Sequence, residues 1–242
     1  MLGVVSPAWS QSGGLIAQGD KVAGAGFQCP VMPSGFYRAG TLFRVEDRVP
    51  EIVKRSEGDP TIKVFSEPAS MGSFAQTRAW DTHALLELIG LNIKPEVGVR
   101  VTTQAALTYD VTKLEGTDDD TVDQVTNRFQ ADVRKGVHTL RPNAKYYIVR
   151  EAILAQAVDV DLRHDDGESI GGAVTLKKIA EIGASVSTTG NSKFIFKKRF
   201  ATPLRVCIKP ERVFSRLNAS GGTDLDHRPL AKGEALDIGA AP

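Results

Sequence analysis

The residues from Val97 to Val111, VGVRVTTQAALTYDV, alternate strictly between two sets of side chains. One set is mainly apolar and the other contains Arg100, Gln104 and Asp110. Because successive side chains of a strand point to opposite faces, this pattern predicts one long, half-exposed β-strand. Ordinary strands run about five or six residues, whereas this alternation would extend about 50 Å. The chain is therefore expected to build a sheet with unusually long strands.

Two later stretches predict strands of similar length. Lys145–Leu162 ends in a clean alternation, and SKFIFKKRFATPLRVCIK repeats the pattern with an apolar face from Phe194 to Ile208. Basic side chains dominate the other face of this last stretch, and Lys198 interrupts the apolar one. Pro203 cannot donate a ladder hydrogen bond, so it is expected at an edge, a bulge or a turn. The pattern therefore favours two strand segments.

Shorter elements surround these strands. A hairpin is predicted from Leu42–Val45 and Ile52–Lys54, and a third short strand at Ile62–Phe65. Helices are predicted at Thr82–Ile89, capped by Asp81, from Asp118–Asp120 to Gly136, and at Leu176–Ile182. Long strands without regular strand–helix alternation indicate an α+β fold with a twisted, mainly antiparallel sheet and short helices around it. The loosely spaced leucines after Ser215 predict a short C-terminal tail rather than a core element.

Composition narrows the class of protein. The 242 residues carry a net charge of +1, which favours neither a nucleic-acid partner nor an acidic one. The only two cysteines, Cys29 and Cys207, do not form a disulfide framework, and the simplest prediction is a cytosolic protein without a disulfide. Cys207 is expected to be a buried thiol. Cys29 is expected to be packed or, alternatively, lipidated.

Catalytic and ligand-binding motifs are missing from the sequence. The four histidines form no metal-spaced pair, and no C-x-x-C, G-x-S-x-G or phosphate-binding G-x-x-x-x-G-K-[ST] motif occurs. We therefore expect a protein that is not an enzyme and holds no cofactor or metal. The basic side chains of the last strand region have two interpretations, a solvated strand face or a surface for anionic lipid head groups. They are Lys197, Lys198, Arg199, Arg205 and Lys209.

Three stretches, taken in order, resemble the bacterial gasdermins. LIAQGDKVAGAGFQCPVMPSGFYRAGTLF is similar to the opening of that family, and LLELIGLNIKPEVGVRVTTQAALTYDVTKLE to its helix and first long amphipathic strand. AKYYIVREAILAQAVDVDL, LKKIAEIGASVS and FIFKKRFATPLRVCIK are similar to the strand, insertion and closing strand pair of the pore-forming domain. The resemblance covers about residues 15–214 and is one of order and pattern.

The resemblance implies a function and a domain division. Residues 1–214 would be a pore-forming domain, and residues 215–242 an autoinhibitory peptide packed on it. A partner protease would remove the peptide, and the domain would then oligomerise in the membrane as a β-barrel pore that kills the cell, commonly in antiviral defence. The protein would be cytoplasmic when inactive and would move to the inner membrane after activation. Basic and acidic residues of the tail are candidate cleavage positions: Arg216, Asp226, Arg228 and Lys232.

The resemblance also assigns roles to the strand faces. A lipid-facing role falls on Val97, Val99, Val101, Leu107, Tyr109, Val111, Phe194, Phe196, Phe200, Leu204 and Val206, with the basic side chains near the lipid head groups. Many members of the family carry a lipid on a cysteine within the first few residues, which this sequence lacks; Cys29 is a weak substitute. Two alternatives remain. Long alternating strands also build curved sheets in binding or scaffold domains, and a hydrolase with an unrecognised site is the third hypothesis.

Overall fold

The computed structural model describes residues 26–29, 33–81, 102–163, 185–189, 193–219, 223–231, 233–234 and 236. Nine strands form one sheet in which every strand pair is antiparallel. Within the described residues a single α-helix accompanies the sheet. The predicted α+β class with a mainly antiparallel sheet is therefore confirmed.

The strands differ greatly in length. In chain order they are β1 Leu42–Glu46, β2 Val49–Lys54, β3 Val64–Pro68, β4 Ser73–Asp81, β5 Thr102–Thr117, β6 Lys145–Arg163, β7 Ser185–Thr189, β8 Lys193–Leu217 and β9 Thr223–Pro229. Three of them are long: β5 has 16 residues, β6 has 19 and β8 has 25. The prediction of unusually long strands is confirmed over their described parts.

The long strand β6 lies at the centre of the sheet. β8 pairs along one of its edges, while β1 and β5 follow one another along the other edge. β3 and β4 pair with successive parts of β5, and β2 pairs with β1. The outer edge of β8 is covered in turn by β7, by the bridges that Gln28 and Ser34 make, and by β9.

Several predicted boundaries change. β8 runs continuously past Pro203, where two segments were predicted, and β3 begins two positions after the predicted Ile62. β4 was not predicted, and its last residue is Asp81, the predicted cap of the helix at Thr82–Ile89. The predicted helices at Thr82–Ile89 and Leu176–Ile182 lie outside the described residues.

The helix α1, Asp119–Arg134, follows its local signals. The Asp118 carboxylate accepts a hydrogen bond from the Thr121 N–H at 2.8 Å, as an N-cap should. Gly136 adopts a positive φ of 71° and ends the helix, while the Val137 N–H bonds back to the Asp132 carbonyl at 2.9 Å. The prediction of this helix is confirmed.

Two hydrophobic clusters cover opposite faces of one end of the sheet. Val122, Val125 and Phe129 of α1 pack against Tyr146 and Ile148 of β6 in one cluster. The other contains Tyr37, Phe43, Val45, Tyr147, Val149, Ala152, Leu154 and Ile208, with Leu230 and Leu236 packed against it. This end of the sheet is thus a core with two sides, and C-terminal residues contribute to both because Leu225 joins the α1 cluster. The prediction that the tail leucines build no core is therefore wrong.

Candidate functional site

Apolar positions of the three long strands lie side by side across the sheet. Leu107 of β5 is opposite Val160 of β6, and Val160 is opposite Phe196 of β8. Tyr109 is in turn opposite Val158. Leu107, Tyr109, Val158 and Val160 are almost completely buried. Directly opposite residues share a face of the sheet, so the register aligns the apolar sides of β5 and β6.

The other face of the same strands is polar and wetter. Thr108 and Asp110 of β5 are exposed and alternate with the buried Leu107 and Tyr109. Gln156 donates to the Asp110 carboxylate at 2.7 Å. The amphipathic pattern read from the sequence is thus present in the folded strand from Leu107 to Val111. Val97, Val99 and Val101 lie outside the described residues.

Bulges break the alternation of β8. Arg199 is opposite Ala157, but Leu204 is already opposite Ala155, so most residues around Pro203 have no partner on β6. A further register shift places Arg205 opposite Leu154 and Ile208 opposite Ala152. An inserted residue turns the strand and re-aims the side chains that follow it. The prediction of one apolar face from Phe194 to Ile208 is therefore wrong beyond the bulge, where Ile208 shares a face with Arg205.

The side chains on the predicted apolar face of β8 have different surroundings. Phe194 and Phe196 lie in register with Leu162 and Val160. Phe200 and Leu204 are half-buried, and Val206 is buried next to Cys207. On β5, Val111 is buried like Leu107 and Tyr109. In the strand register the apolar residues of β8 stay aligned with those of β6 only as far as the bulge.

The five basic side chains do not form one free surface. Lys197 is exposed and pairs with Asp159 at 3.5 Å, while Lys209 pairs with Glu151 at 2.8 Å. Lys198 is half-buried at a position opposite the buried Val158, and Arg199 is exposed. Arg205 is buried. Of the five basic residues predicted to face lipid head groups, Lys197 and Arg199 are therefore the exposed ones.

Arg205 forms a buried ion pair that crosses a strand. Its guanidinium contacts the Glu115 carboxylate of β5 at 2.8 Å, although β6 lies between the two strands. The residue opposite Glu115 on β6 is Ala152, whose small side chain leaves space for the ion pair to cross β6. Glu115 also accepts from the Ala39 N–H at 2.7 Å, and Arg205 donates to the Gly35 carbonyl at 2.8 Å. The pair thereby connects the segment before β1 to the sheet.

The C-terminal strand β9 is held to β8 and α1 by polar contacts. Its His227 lies between two carboxylates, with Nδ1 at 2.7 Å from Glu211 and Nε2 at 2.8 Å from Asp123. Burial lowers the pKa of the ring, but the hydrogen bonds and charges of Asp123 and Glu211 outweigh it and raise the pKa above 6.5. Both ring nitrogens can donate only when the imidazole is protonated. His227 therefore connects β9, β8 and α1 most strongly as a cation.

A second set of contacts lies on the same side of β9. The Asp224 carboxylate accepts from Arg134 at 2.6 Å and from the Gln130 amide at 2.9 Å. Gln130 in turn accepts from the Leu225 N–H at 2.9 Å, and the Leu225 side chain is buried against α1. Residues in the last two turns of α1 therefore form hydrogen bonds with both backbone and side-chain groups of β9.

The residues after β9 return to the N-terminal segment. Glu234 accepts from Arg212, Arg228 and the Ala231 N–H at 2.8, 2.8 and 3.1 Å. Burial raises its pKa, but the hydrogen bonds from Arg212, Ala231 and Arg228 outweigh this effect and lower the pKa to about 2. The buried Gln28 amide donates to the Glu234 carbonyl at 3.1 Å and accepts from the Leu236 N–H at 2.6 Å. The C-terminal segment is therefore held in place at β9 and again at Glu234 and Leu236.

The candidate cleavage positions lie within or beside this docked segment. Arg216 belongs to β8, opposite Asp224, while Asp226 and Arg228 belong to β9. Arg216 also pairs with Asp226 at 3.2 Å. Lys232 lies outside the described residues. The predicted boundary at residue 214 falls inside β8, so the connection between β8 and β9 begins only after Leu217.

The two cysteines form a disulfide bond, which corrects the prediction of two unpaired thiols and of a lipid on Cys29. Gln28 and Ile208 exchange two backbone hydrogen bonds, of 2.7 and 2.8 Å. The next pair across the strands, Cys29 and Cys207, is therefore a non-hydrogen-bonded pair, where the backbones approach most closely. Their Cα atoms lie 4.0 Å apart, and both side chains are buried. A sequence separation of 178 residues gave no local signal for this pairing.

Two kinds of feature are absent from the described residues. No group of three or more His, Cys, Asp or Glu side chains in that part of the chain is placed to hold a metal ion. No helix within the described ranges is long and apolar enough to span a membrane.

Comparison with known proteins gives a likeness to solved structures alone. Neither a protein-family model nor a curated protein matches the sequence. A solved structure of a bacterial gasdermin from Bradyrhizobium tropiciagri is similar to 85% of this chain and 88% of that chain, with 11% sequence identity and a TM-score of 0.46. A TM-score below 0.5 does not establish a shared fold, so the family resemblance read from the sequence stays a prediction.

Proposed function

We propose that this chain is a pore-forming protein whose C-terminal segment keeps it inactive. The observation that carries the proposal is the register of the long strands, in which Leu107, Val160 and Phe196 lie at one level of β5, β6 and β8. A membrane-spanning strand needs about nine to eleven residues with one apolar face and one polar face. The 16, 19 and 25 residues of these strands exceed that length.

Insertion into a membrane would change the environment of both faces of the long strands. The apolar side at Leu107 and Tyr109 would leave its protein cover and meet lipid, while Thr108 and Asp110 would line an aqueous lumen. Lipid tolerates strands only when their edges are closed by pairing. Neighbouring copies would therefore have to pair edge to edge into a β-barrel, which makes the active form an oligomer.

The C-terminal segment is suited to oppose this change. β9 occupies the outer edge of β8 from Glu211 to Leu217, and an occupied edge cannot pair with another copy. His227, Asp224 and Glu234 attach the segment to α1, β8 and the N-terminal residues through contacts specific to the closed form. Removing contacts that exist in only one of two states shifts the equilibrium towards the other.

A protease is the proposed activating partner, and the β8–β9 connection is the proposed region of the cut. Proteolytic nicking favours exposed loop tips over paired strands. The hydrogen-bonded positions Arg216, Asp226 and Arg228 would therefore become substrates only after local opening of the hairpin. In this proposal the protein is cytoplasmic until it is cut, then acts at the inner membrane and kills the cell, and antiviral defence is the context that the family resemblance suggests.

Liposome leakage tests the proposal directly. A recognition sequence for a specific protease is inserted between residues 218 and 222, and the purified protein is added to dye-loaded vesicles containing anionic lipid. Leakage is expected only after the protease is added. The matched control carries the same insertion with its residues scrambled, so that it cannot be cut. Complete cleavage without leakage in several lipid mixtures would overturn the proposal.

The second candidate is a binding or scaffold domain without membrane activity. The buried Arg205–Glu115 pair and the bulges near Pro203 favour it, because both belong to a curved sheet that is fully packed in its closed form. This candidate predicts that cutting the β8–β9 connection changes stability alone. The leakage experiment therefore separates the two functions.

A further inference from the structure

We infer that the Cys29–Cys207 disulfide is a redox-controlled latch that keeps the C-terminal segment docked after the chain is cut. The inference depends on the proposed function for its biological meaning, although its measurement needs no membrane. It assigns a second requirement for activation, reduction of the disulfide, in addition to proteolysis.

The latch begins at the outer edge of β8. Residues Gln28 and Ser34 bridge to Ile208 and Arg205 through four backbone hydrogen bonds of 2.7 to 3.0 Å. Among the described residues of this segment, these two bridges are isolated ones. The disulfide lies between them and fixes Cys29 covalently to Cys207. Without that bond, the edge would be held by a few hydrogen bonds across a separation of 178 residues, which is entropically unfavourable to close.

The same N-terminal residues hold the end of the chain. Gln28 is adjacent to Cys29, and its amide bonds to both Glu234 and Leu236. Leu230 and Leu236 pack against the cluster that contains Ile208, the bridging partner of Gln28. The disulfide therefore fixes the position of a side chain that contacts the C-terminal backbone in two places.

Cutting between β8 and β9 would not remove these contacts. The Gln28 amide lies before β1, whereas Glu234 and Leu236 lie beyond the cut. The contacts between them therefore connect the fragment to the body of the protein. In the oxidised chain the fragment is held at β9 and again at residues 234–236. In the reduced chain the contact of Glu234 with Arg212 of β8 remains, but the contacts of Gln28 with Glu234 and Leu236 depend on a segment that is no longer covalently fixed to β8.

The chemistry of release is a thiol–disulfide exchange. A dithiol reductant attacks one sulfur as a thiolate, forms a mixed disulfide and then closes its own disulfide, leaving Cys29 and Cys207 as thiols. Two electrons and two protons pass from the dithiol to the protein. Cys29 and Cys207 are 4% and 0% exposed, so the attack requires the N-terminal segment to lift from the edge of β8. Reducing and oxidising conditions would then select the loose or the latched form.

Retention of the fragment tests the latch. The full chain with the cleavable insertion carries a fluorophore on a C-terminal tag, is cut under oxidising conditions and is then followed by size-exclusion chromatography with and without dithiothreitol. The expected result is retention of the fragment in the oxidised protein and dissociation faster by about tenfold or more after reduction. Uncut protein, with the disulfide open or closed, should have the same far-ultraviolet circular dichroism.

Two variants sharpen the test. Cys29→Ser/Cys207→Ser should release the fragment at the fast rate and show no response to dithiothreitol. Gln28→Ala should release it quickly although its disulfide remains closed, which isolates the contact that transmits the effect. Equal dissociation rates before and after reduction, with mass spectrometry showing that the bond has opened, would overturn the inference, as would two alkylatable thiols in protein purified in air.

The latch and the pore can fail separately. A fragment that is released on reduction, without leakage from vesicles, would refute the pore and leave the latch standing. Leakage after cutting that is equal in oxidised and reduced protein would support the pore and refute the latch.

Discussion

Arg205 of β8 reaches across the central strand β6 to place its guanidinium 2.8 Å from the Glu115 carboxylate of β5. Both side chains are about nine-tenths buried, with relative exposures of 11% and 9%. The pair joins three strands and, through Ala39 and Gly35, the segment that leads into β1. It belongs to the closed form of the sheet, since a membrane-facing role for Arg205 would require the pair to separate.

Arg205→Leu should destabilise the protein strongly. Removing one partner of a buried ion pair leaves the other charge buried and uncompensated, which typically costs about 3 to 5 kcal/mol. Urea unfolding followed by circular dichroism measures the loss. Lys197→Leu is the matched control on the same strand, because its pair with Asp159 is exposed and should contribute about 1 kcal/mol or less. Similar losses in the two variants would show that the Arg205 pair has no special structural role.

The docking of β9 should weaken as pH rises. The folded pKa of His227 is raised above its ordinary 6.5, so its contribution is fully present below about pH 6.5 and is lost as pH rises through the folded pKa. Amide hydrogen exchange in residues 223–229 should therefore be faster above the folded pKa of His227 than below about pH 6.5. This comparison is made after correction for the intrinsic pH dependence of exchange. His227→Gln should remove the pH dependence because its amide does not titrate. A profile unchanged by this substitution would contradict the assignment.

Much of the fold could be predicted where the signals are local. Asp118, the apolar spacing of α1 and Gly136 are close in sequence, and the helix follows them. β9 could not be predicted in this way, because Leu225 is buried in a cluster whose other members, those of α1 among them, are not its neighbours in sequence. A bulge was one of the alternatives predicted for Pro203, but the resulting change of strand face was not predicted, since the alternation in the sequence continues while the pairing with β6 shifts.

The residues of the candidate site could likewise be predicted only where their sequence signals are local. The alternating residues Leu107, Tyr109 and Val111 were identified from sequence because strand periodicity requires no partner. The disulfide and the contacts of Gln28 were not, since each joins residues roughly two hundred positions apart. The one available signal was the count of two cysteines, one of them within a predicted strand.

Glu234→Gln should loosen the C-terminal segment without unfolding the sheet. The carboxylate receives hydrogen bonds from Arg212, Arg228 and Ala231, and a neutral amide loses the attraction of both guanidinium groups. Limited proteolysis near Lys232 should become several-fold faster, while the midpoint of thermal unfolding changes little. Because the folded pKa is about 2, wild-type protein should keep this contact above about pH 4.5 and lose it as pH falls towards 2. Glu57→Gln, at an exposed position, is the matched control and should leave the proteolysis rate unchanged.

Gly116 and Phe65 offer a double-mutant test of the β3–β5 edge. They are opposite one another, and a Cβ added at Gly116 would lie 2.3 Å from the Phe65 ring. Gly116→Ala should therefore displace the ring and destabilise the protein by about 1 to 3 kcal/mol, the usual range for overpacking. In a Phe65→Ala background the clash is absent, and the same substitution should be neutral or stabilising by up to about 1 kcal/mol, because glycine is unfavourable within a strand. Equal effects in the two backgrounds would mean that the ring does not limit the size of residue 116.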